Sequence, residues 1–343
     1  MAVQVEFTQD LIEEILLRLP VRSLVRFKCV SKQWHLLFSN SEFIRIHMKT
    51  SSSIHPLFVN DADEFSIGVP YNNGDEDGIF LFQPVEPKFP MEQHEVYYDI
   101  VDHRNGLLCS EEIMNWKAVV VWNPSTKEQK RLRAPDQRSL EKKEQYFGFG
   151  YDSTSDDYKV VLVTTFENIP AKIQCLGLKM DSWEIAQNDI HYLFDCDTFS
   201  SSYAAHVNGY IYWAIKKRRV DDNNGADGIA RFDLGRNRMI EEKSLSEILL
   251  SGRRYVSLHP LKESLFMIET NDHVNFNAWI MKENDEVTGT KSWIKFFQIS
   301  IEQNVFNPVR YPPIEEDCIS PICFTGNGNC LMVAEERQYF FFI

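Results

Sequence analysis

The chain has 343 residues, a formal net charge of −14 at pH 7 and a 13% aromatic content. It is longer than an ordinary single domain, contains no run of about eighteen apolar residues to span a bilayer, and lacks the basic and apolar regions of a signal peptide at its amino terminus. Seven cysteines, at 29, 109, 175, 196, 318, 323 and 330, are odd in number and irregularly spaced, and the one Asn-x-Ser/Thr triplet, Asn123-Pro124-Ser125, is disabled by its proline, so a soluble chain in a reducing compartment is expected, cytoplasmic with the nucleus as a second option.

The first fifty residues read as helices. Leu11, Ile12, Ile15, Leu16 and Leu19 recur at helical spacing, with Asp10, Glu13, Glu14 and Arg18 mainly on the other face. Thr8 is an N-cap candidate, and Pro20 stops this helix and can open the next. A second helix carries Val21, Leu24, Val25 and Val30 inward and Arg22, Arg26 and Lys28 outward; Ser31 caps a third that holds Trp34, Leu37 and Phe38. A unit of about forty residues buries little surface and is marginal without disulfides, a metal or a partner, so a partner is expected.

The run LIEEILLRLPVRSLVRFKCVSKQW resembles the F-box motif, following the plant pattern in which a leucine-rich helix leads into LPV-x-SL-x-RF-x-x-V-x-K-x-W. The resemblance implies binding to the Skp-type adaptor of a cullin-RING ubiquitin ligase. Carried over residue by residue, the anchors are Ile12, Ile15, Leu16, Leu19, Pro20, Val21, Leu24, Val25, Val30 and Trp34. The leucine-proline pair that usually opens the motif is Phe7-Thr8 here. The alternative is that the same side chains only hold the helices to one another, and Leu11 and Phe27 fit either role.

The first 48 residues carry six basic and five acidic side chains, so the net charge of −14 falls as −15 on the remainder. Such a body repels nucleic acid and would draw basic proteins, or is simply a solvated acidic surface. Its texture is different: after a polar stretch at Ser51 to Ser53, short apolar runs alternate with Asn-Gly, Asp-Gly and Pro turns, with one short helical pattern at Leu245 to Leu250. Residues 103–132 and 206–242 share His-x-Asn-Gly, a strand, a loop and a second strand ending in an aromatic. Residues 146–186 and 255–299 share a closing Ser-Trp strand, Ser182-Trp183 and Ser292-Trp293. Repeats of about forty to fifty residues with several strands each are those of β-propeller blades. A further blade is read from Pro321 and a diverged one within 55–100, about six in all, closed by pairing of early and late strands.

HRNGLLC, VVVWNPSTKEQKRL, FGFGYDSTSDDYKVV and SWIKFF are similar to the F-box-associated, kelch-like domain of the large plant F-box group, which includes the S-locus F-box proteins. In that group the associated domain captures the substrate, and S-locus members take commonly basic pistil ribonucleases. The group usually continues past a final hydrophobic strand, whereas this chain stops at Phe340 to Ile343.

Other constellations do not sustain sharper chemistry. Cys318, Cys323 and Cys330 lack zinc-site spacing, Gly148-Phe149-Gly150 has no third glycine or helix, and Gly326-Asn327-Gly328-Asn329 has no following lysine, so strand cysteines, a strand and a hairpin are expected. Ser110 and Ser257 have no motif of a nucleophile around them. Lys216-Lys217-Arg218-Arg219 reads as a basic hairpin, with nuclear import as the alternative, and Trp116, Trp122, Trp183, Trp213, Trp279 and Trp293 as seals between blades rather than a ligand face.

The expected architecture is therefore α+β and multidomain: an F-box over residues 1–49 and a mostly-β, propeller-like substrate-recognition domain over residues 50–343. The expected role is a non-catalytic substrate adaptor with no cofactor, no metal, no nucleic acid and no membrane, promoting ubiquitylation of a protein target whose identity the sequence leaves open. A non-degradative scaffold, or a propeller lectin or enzyme, are the alternatives.

Overall fold

A computed structural model of the chain describes residues 8–50, 56–59, 65–71, 81–85, 98–112, 118–135, 142–166, 171–190, 193–194, 204–219, 222–241, 255–261, 263–270, 275–283, 291–300, 319–324, 330–334 and 340–342. Four helices come first: α1 Gln9–Leu17, α2 Val21–Phe27, α3 Lys32–Leu37 and α4 Ser41–Thr50. Thr8 stands at the N-cap of α1 in an extended conformation, but its side chain makes no capping bond. Pro20 ends α1 and starts α2, its carbonyl accepting from the Ser23 and Leu24 amides. Ser31 Oγ accepts from the Trp34 amide at 3.1 Å, the expected cap of α3. The sequence reading had three helices in this block; α4 is the addition. Asn40 caps it, Oδ1 accepting from the Glu42 and Phe43 amides at 2.8 and 3.2 Å, and Phe43 and His47, four apart, turn inward.

The β region begins with β1 Pro56–Val59, β2 Phe65–Tyr71 and β3 Leu81–Val85. A second sheet holds β4 Tyr98–Arg104, β5 Leu107–Glu112, β6 Ala118–Trp122 and β7 Gln129–Arg133. A third holds β8 Lys142–Asp152, β9 Asp157–Phe166, β10 Ala171–Gly177 and β11 Trp183–Ile190. The fourth has β12 Leu193–Phe194, β13 Ala205–Val207, β14 Tyr210–Arg219, β15 Asp222–Asp233 and β16 Arg238–Glu241. A fifth has β17 Tyr255–Leu261, β18 Ser264–Thr270, β19 Asn275–Glu283 and β20 Lys291–Ser300; β21 Ile319–Phe324 and β22 Cys330–Ala334 form a pair. Finally β23 Phe340–Phe342 pairs antiparallel with β1, Leu57 opposite Phe341, so the first sheet takes a strand from each end of the described β region.

Sheet stacks on sheet. Strand β9 is buried along nearly its whole length because both its faces are covered. Val160 and Leu162 join Val101, Cys109, Val121 and Phe149 between the second and third sheets, while Val161 and Val163 join Ile211, Trp213 and Phe232 between the third and fourth. Four tryptophans act as seals: Trp213 is buried in the core between the third and fourth sheets, Trp183 packs against the second–third core, and Trp279 and Trp293 pack against the core between the fourth and fifth sheets, while Trp122 is buried on β6. The two His-x-Asn-Gly repeats are equivalent hairpins. Asn105-Gly106 and Asn208-Gly209 all have positive φ, the geometry of a two-residue turn that matches strand twist. Each asparagine reaches the following sheet: Asn105 Nδ2 donates to the Tyr158 hydroxyl and Asn208 Nδ2 to the Glu263 carbonyl, both at 3.0 Å.

The basic run Lys216 to Arg219 ends β14 in a hairpin with β15, Lys216 opposite Asp227 and Arg219 opposite Asp222. The helical pattern at Leu245 to Leu250, the stretch Ser51 to Ser53, Trp116, Cys196, Cys318 and the run Gly326 to Asn329 lie outside the described residues, although β21 and β22, which flank that last run, do pair antiparallel.

Candidate interaction surface

The helical module has a small interior and an apolar exterior. Leu16, Leu24, Phe38 and Phe43 are buried, with Ile12, Leu17, Leu19, Phe27, Trp34 and Leu37 packed around them. An aromatic ladder ties α2, α3 and α4 together: Phe27–Trp34, Trp34–Phe38 and Phe38–Phe43 ring centroids lie 5.6, 5.9 and 5.5 Å apart, and Phe43 stacks on His47 at 6.3 Å. His47 Nε2 in turn donates to the Leu19 carbonyl at 2.8 Å. The ladder thus ends on the turn between α1 and α2.

On the outside, Leu11, Ile15, Val21, Val30, Leu36, Ile44 and Met48 are 37–70% exposed. Among the described residues these are seven of eleven exposed large hydrophobic side chains, the others being Met180, Ile185, Ile294 and Phe296. So dense an apolar exterior on so short a segment makes the helical module the candidate interaction surface among the described residues. Charges sit beside it: Glu14 pairs with Arg18 at 3.7 Å, and Arg45 forks onto Glu42 at 3.0 and 2.5 Å, a hydrogen bond that holds the Glu42 carboxyl below its ordinary range.

Of the ten expected anchors, Ile15, Pro20, Val21 and Val30 are exposed, and Ile12, Leu19, Val25 and Trp34 are half-buried. Leu16 and Leu24 are 2% and 6% exposed. Both lie in the interior of the module, where α1 and α2 turn them toward Phe38 and Phe43. Leu36, Ile44 and Met48 were missed. For the last two the signal was available in the Asn40 cap and the four-residue spacing of Phe43 and His47.

Among the described residues of the β region, buried polar groups hold neighbouring sheets together. Lys159, 11% exposed at its side chain, pairs with Asp152 at 2.9 Å and donates across to the Leu234 carbonyl and Asn237 Oδ1 in the next sheet, at 2.6 and 2.9 Å. Burial would raise the Asp152 carboxyl, but hydrogen bonds from Ser155, Lys159 and Thr154 outweigh it and bring it down to about 2. Ser257 Oγ lies 2.9 Å from His259 Nε2, a serine and histidine in contact. Burial lowers that ring to about 4, and among the described residues no carboxylate is placed to orient it as a base. Among the described residues no three His, Cys, Asp or Glu are placed to hold a metal ion, and no helix is long and apolar enough to cross a membrane.

Comparison with known proteins adds two family matches: an F-box domain over residues 6–46 and an F-box associated beta propeller domain over residues 66–340. An F-box/kelch-repeat protein of Arabidopsis thaliana is 29% identical, over 84% of this chain and 78% of that protein. The F-box protein CPR1 of the same plant is 24% identical, over 86% of this chain and 73% of its own length. These relatives speak for the wide plant group and carry nothing on its S-locus members.

Proposed function

The chain belongs to the F-box proteins that carry an F-box-associated β-propeller domain, and from that premise we propose that it is the substrate-recognition subunit of a Skp-cullin-F-box ubiquitin ligase. The observation that carries this reading is the concentration of exposed apolar side chains on the helical module, with Ile15, Val21 and Val30 outward over an interior of Leu16 and Leu24. The mechanism is proximity. The module fixes the subunit to a Skp-type adaptor and so to a cullin-RING ligase, while the β domain holds a protein whose lysines then meet a charged ubiquitin-conjugating enzyme at high effective concentration. The chain itself supplies no catalytic group, and its work is done in the cytoplasm or nucleus. A charge of −15 outside the first 48 residues favours a basic target, and the ribonucleases taken by S-locus members are one class with that property.

The test is pull-down of the full chain with a Skp-type adaptor, followed by an ubiquitylation assay. Wild type is expected to bind, and Ile15→Asp with Val30→Asp to lose about 2 kcal/mol or more of affinity, because a charge replaces an apolar contact on a surface that stays folded. Leu16→Asp is a different experiment. It places a charge in the interior and is expected to unfold the module. Undiminished binding by the Ile15/Val30 variant would reject the surface; binding without any target modification would leave a scaffold.

A further inference from the structure

The corner between α1 and α2 has a carbonyl that its own helix cannot serve. The last turn of α1 closes with the Arg18 and Leu19 amides bonded to the Ile15 and Leu16 carbonyls, and beyond the corner the Ser23 and Leu24 amides of α2 go to the Pro20 carbonyl, one residue further on. The Leu19 carbonyl is met instead from 28 residues away by His47 Nε2 at 2.8 Å. His47 is 5% exposed, so its ring N–H is held away from water and has this carbonyl as its partner. The ring is itself fixed by its stack on Phe43 at the end of the aromatic ladder.

We propose that His47 is a positioning residue for adaptor binding: through the Leu19 carbonyl it sets the direction of the Leu19–Pro20–Val21 corner, whose exposed Pro20 and Val21 face outward. The inference rests on the adaptor-binding reading above and extends it to α4, which the motif resemblance did not include. His47 need not touch the adaptor; its effect passes through the backbone of the corner.

The experiment uses the full chain and a Skp-type adaptor, with affinity, helical circular dichroism and exchange of the Val21 to Leu24 amides measured for wild type, His47→Gln, His47→Asn and His47→Leu. Glutamine can place its amide N–H where Nε2 stands, whereas asparagine is too short and leucine has no donor. His47→Gln is expected to bind within about threefold of wild type, and His47→Asn and His47→Leu to bind about tenfold or more weakly with faster exchange at the corner. Should His47→Leu lose helical signal, the comparison falls on glutamine against asparagine, which differ only in reach. Equal affinity of those two, or wild-type affinity in His47→Leu, overturns the proposal. Failure of wild type to bind at all rejects the adaptor reading, and this inference with it.

Discussion

Asp102 sits on β4 with 5% exposure, accepts the His103 amide at 2.6 Å through Oδ1, and is pushed up to about 8, chiefly by burial. Its contribution to stability has a definite sign. Below about pH 3.8 the carboxyl is protonated in both states; between 3.8 and 8 the unfolded chain releases the proton and the folded chain keeps it, so stability falls as pH rises through that window. Asp102→Asn retains the acceptor for His103 and removes the titration. The variant is expected to melt above wild type at pH 7.5, with the gap closing toward pH 4; a gap independent of pH would refute this account. Burial lowers His103, His206 and His259 to about 4, 3 and 4. Protonation of the unfolded chain below its ordinary histidine pKa of about 6.5 therefore opposes folding as pH falls; for His206 and His259 this is common to both proteins, while His103 Nδ1 lies 3.9 Å from Asp102 Oδ1, so the difference isolates Asp102 above about pH 7, where His103 is neutral in both states.

At the scale of the element, β8 shows why a strand can carry two glycines. Gly148 and Gly150 share the face toward the fourth sheet, while Phe147 and Phe149 fill the core toward the second. A Cβ at Gly150 would stand 2.3 Å from His206 Cδ2, and one at Gly148 2.7 Å from Ile211 Cγ2 and Trp213 Cζ2. Gly150→Ala is accordingly expected to cost on the order of 2 kcal/mol, read from denaturant midpoints, because a buried ring and Leu234 must move. An unchanged midpoint would mean that the sheets separate more easily than their packing indicates. In the sequence, Gly-Phe-Gly could be told from a dinucleotide-binding fingerprint by its lack of a third glycine and a following helix, and the strand was legible. Its reason for being glycine was not, since the clash is with residues about sixty positions away. The same limit separated Leu16 and Leu24 from Ile15 and Val30: periodicity marks all four as apolar, but only the packed partners Phe38 and Phe43 decide which pair is inside. The His-x-Asn-Gly hairpins were legible as a repeat, because positive φ at two adjacent positions demands those residue types; that each asparagine then binds the next sheet was not.

Across the whole molecule, adjacent sheets are joined by repeated cross-links as well as by their cores. Lys130 donates to the Leu178 carbonyl at 2.7 Å, Trp183 Nε1 to the Arg133 carbonyl at 2.7 Å, and Lys159 to the Leu234 carbonyl, each running between neighbours in the series. A repeat of this kind cannot bury its faces alone, so its stability depends on having a neighbour on each side. The first sheet obtains part of its pairing from the far end of the chain, through β23 against β1. A chain ended at residue 338 would leave the backbone of Pro56–Val59 open on that edge. It is expected to melt several degrees lower, with faster amide exchange in Pro56–Val59 and Phe65–Tyr71 while the strands of the second to fifth sheets keep their protection, because the loss is local to the strand that β23 served. A truncated chain with the same midpoint and the same exchange in Pro56–Val59 as full length would show that β1 does not depend on that pairing.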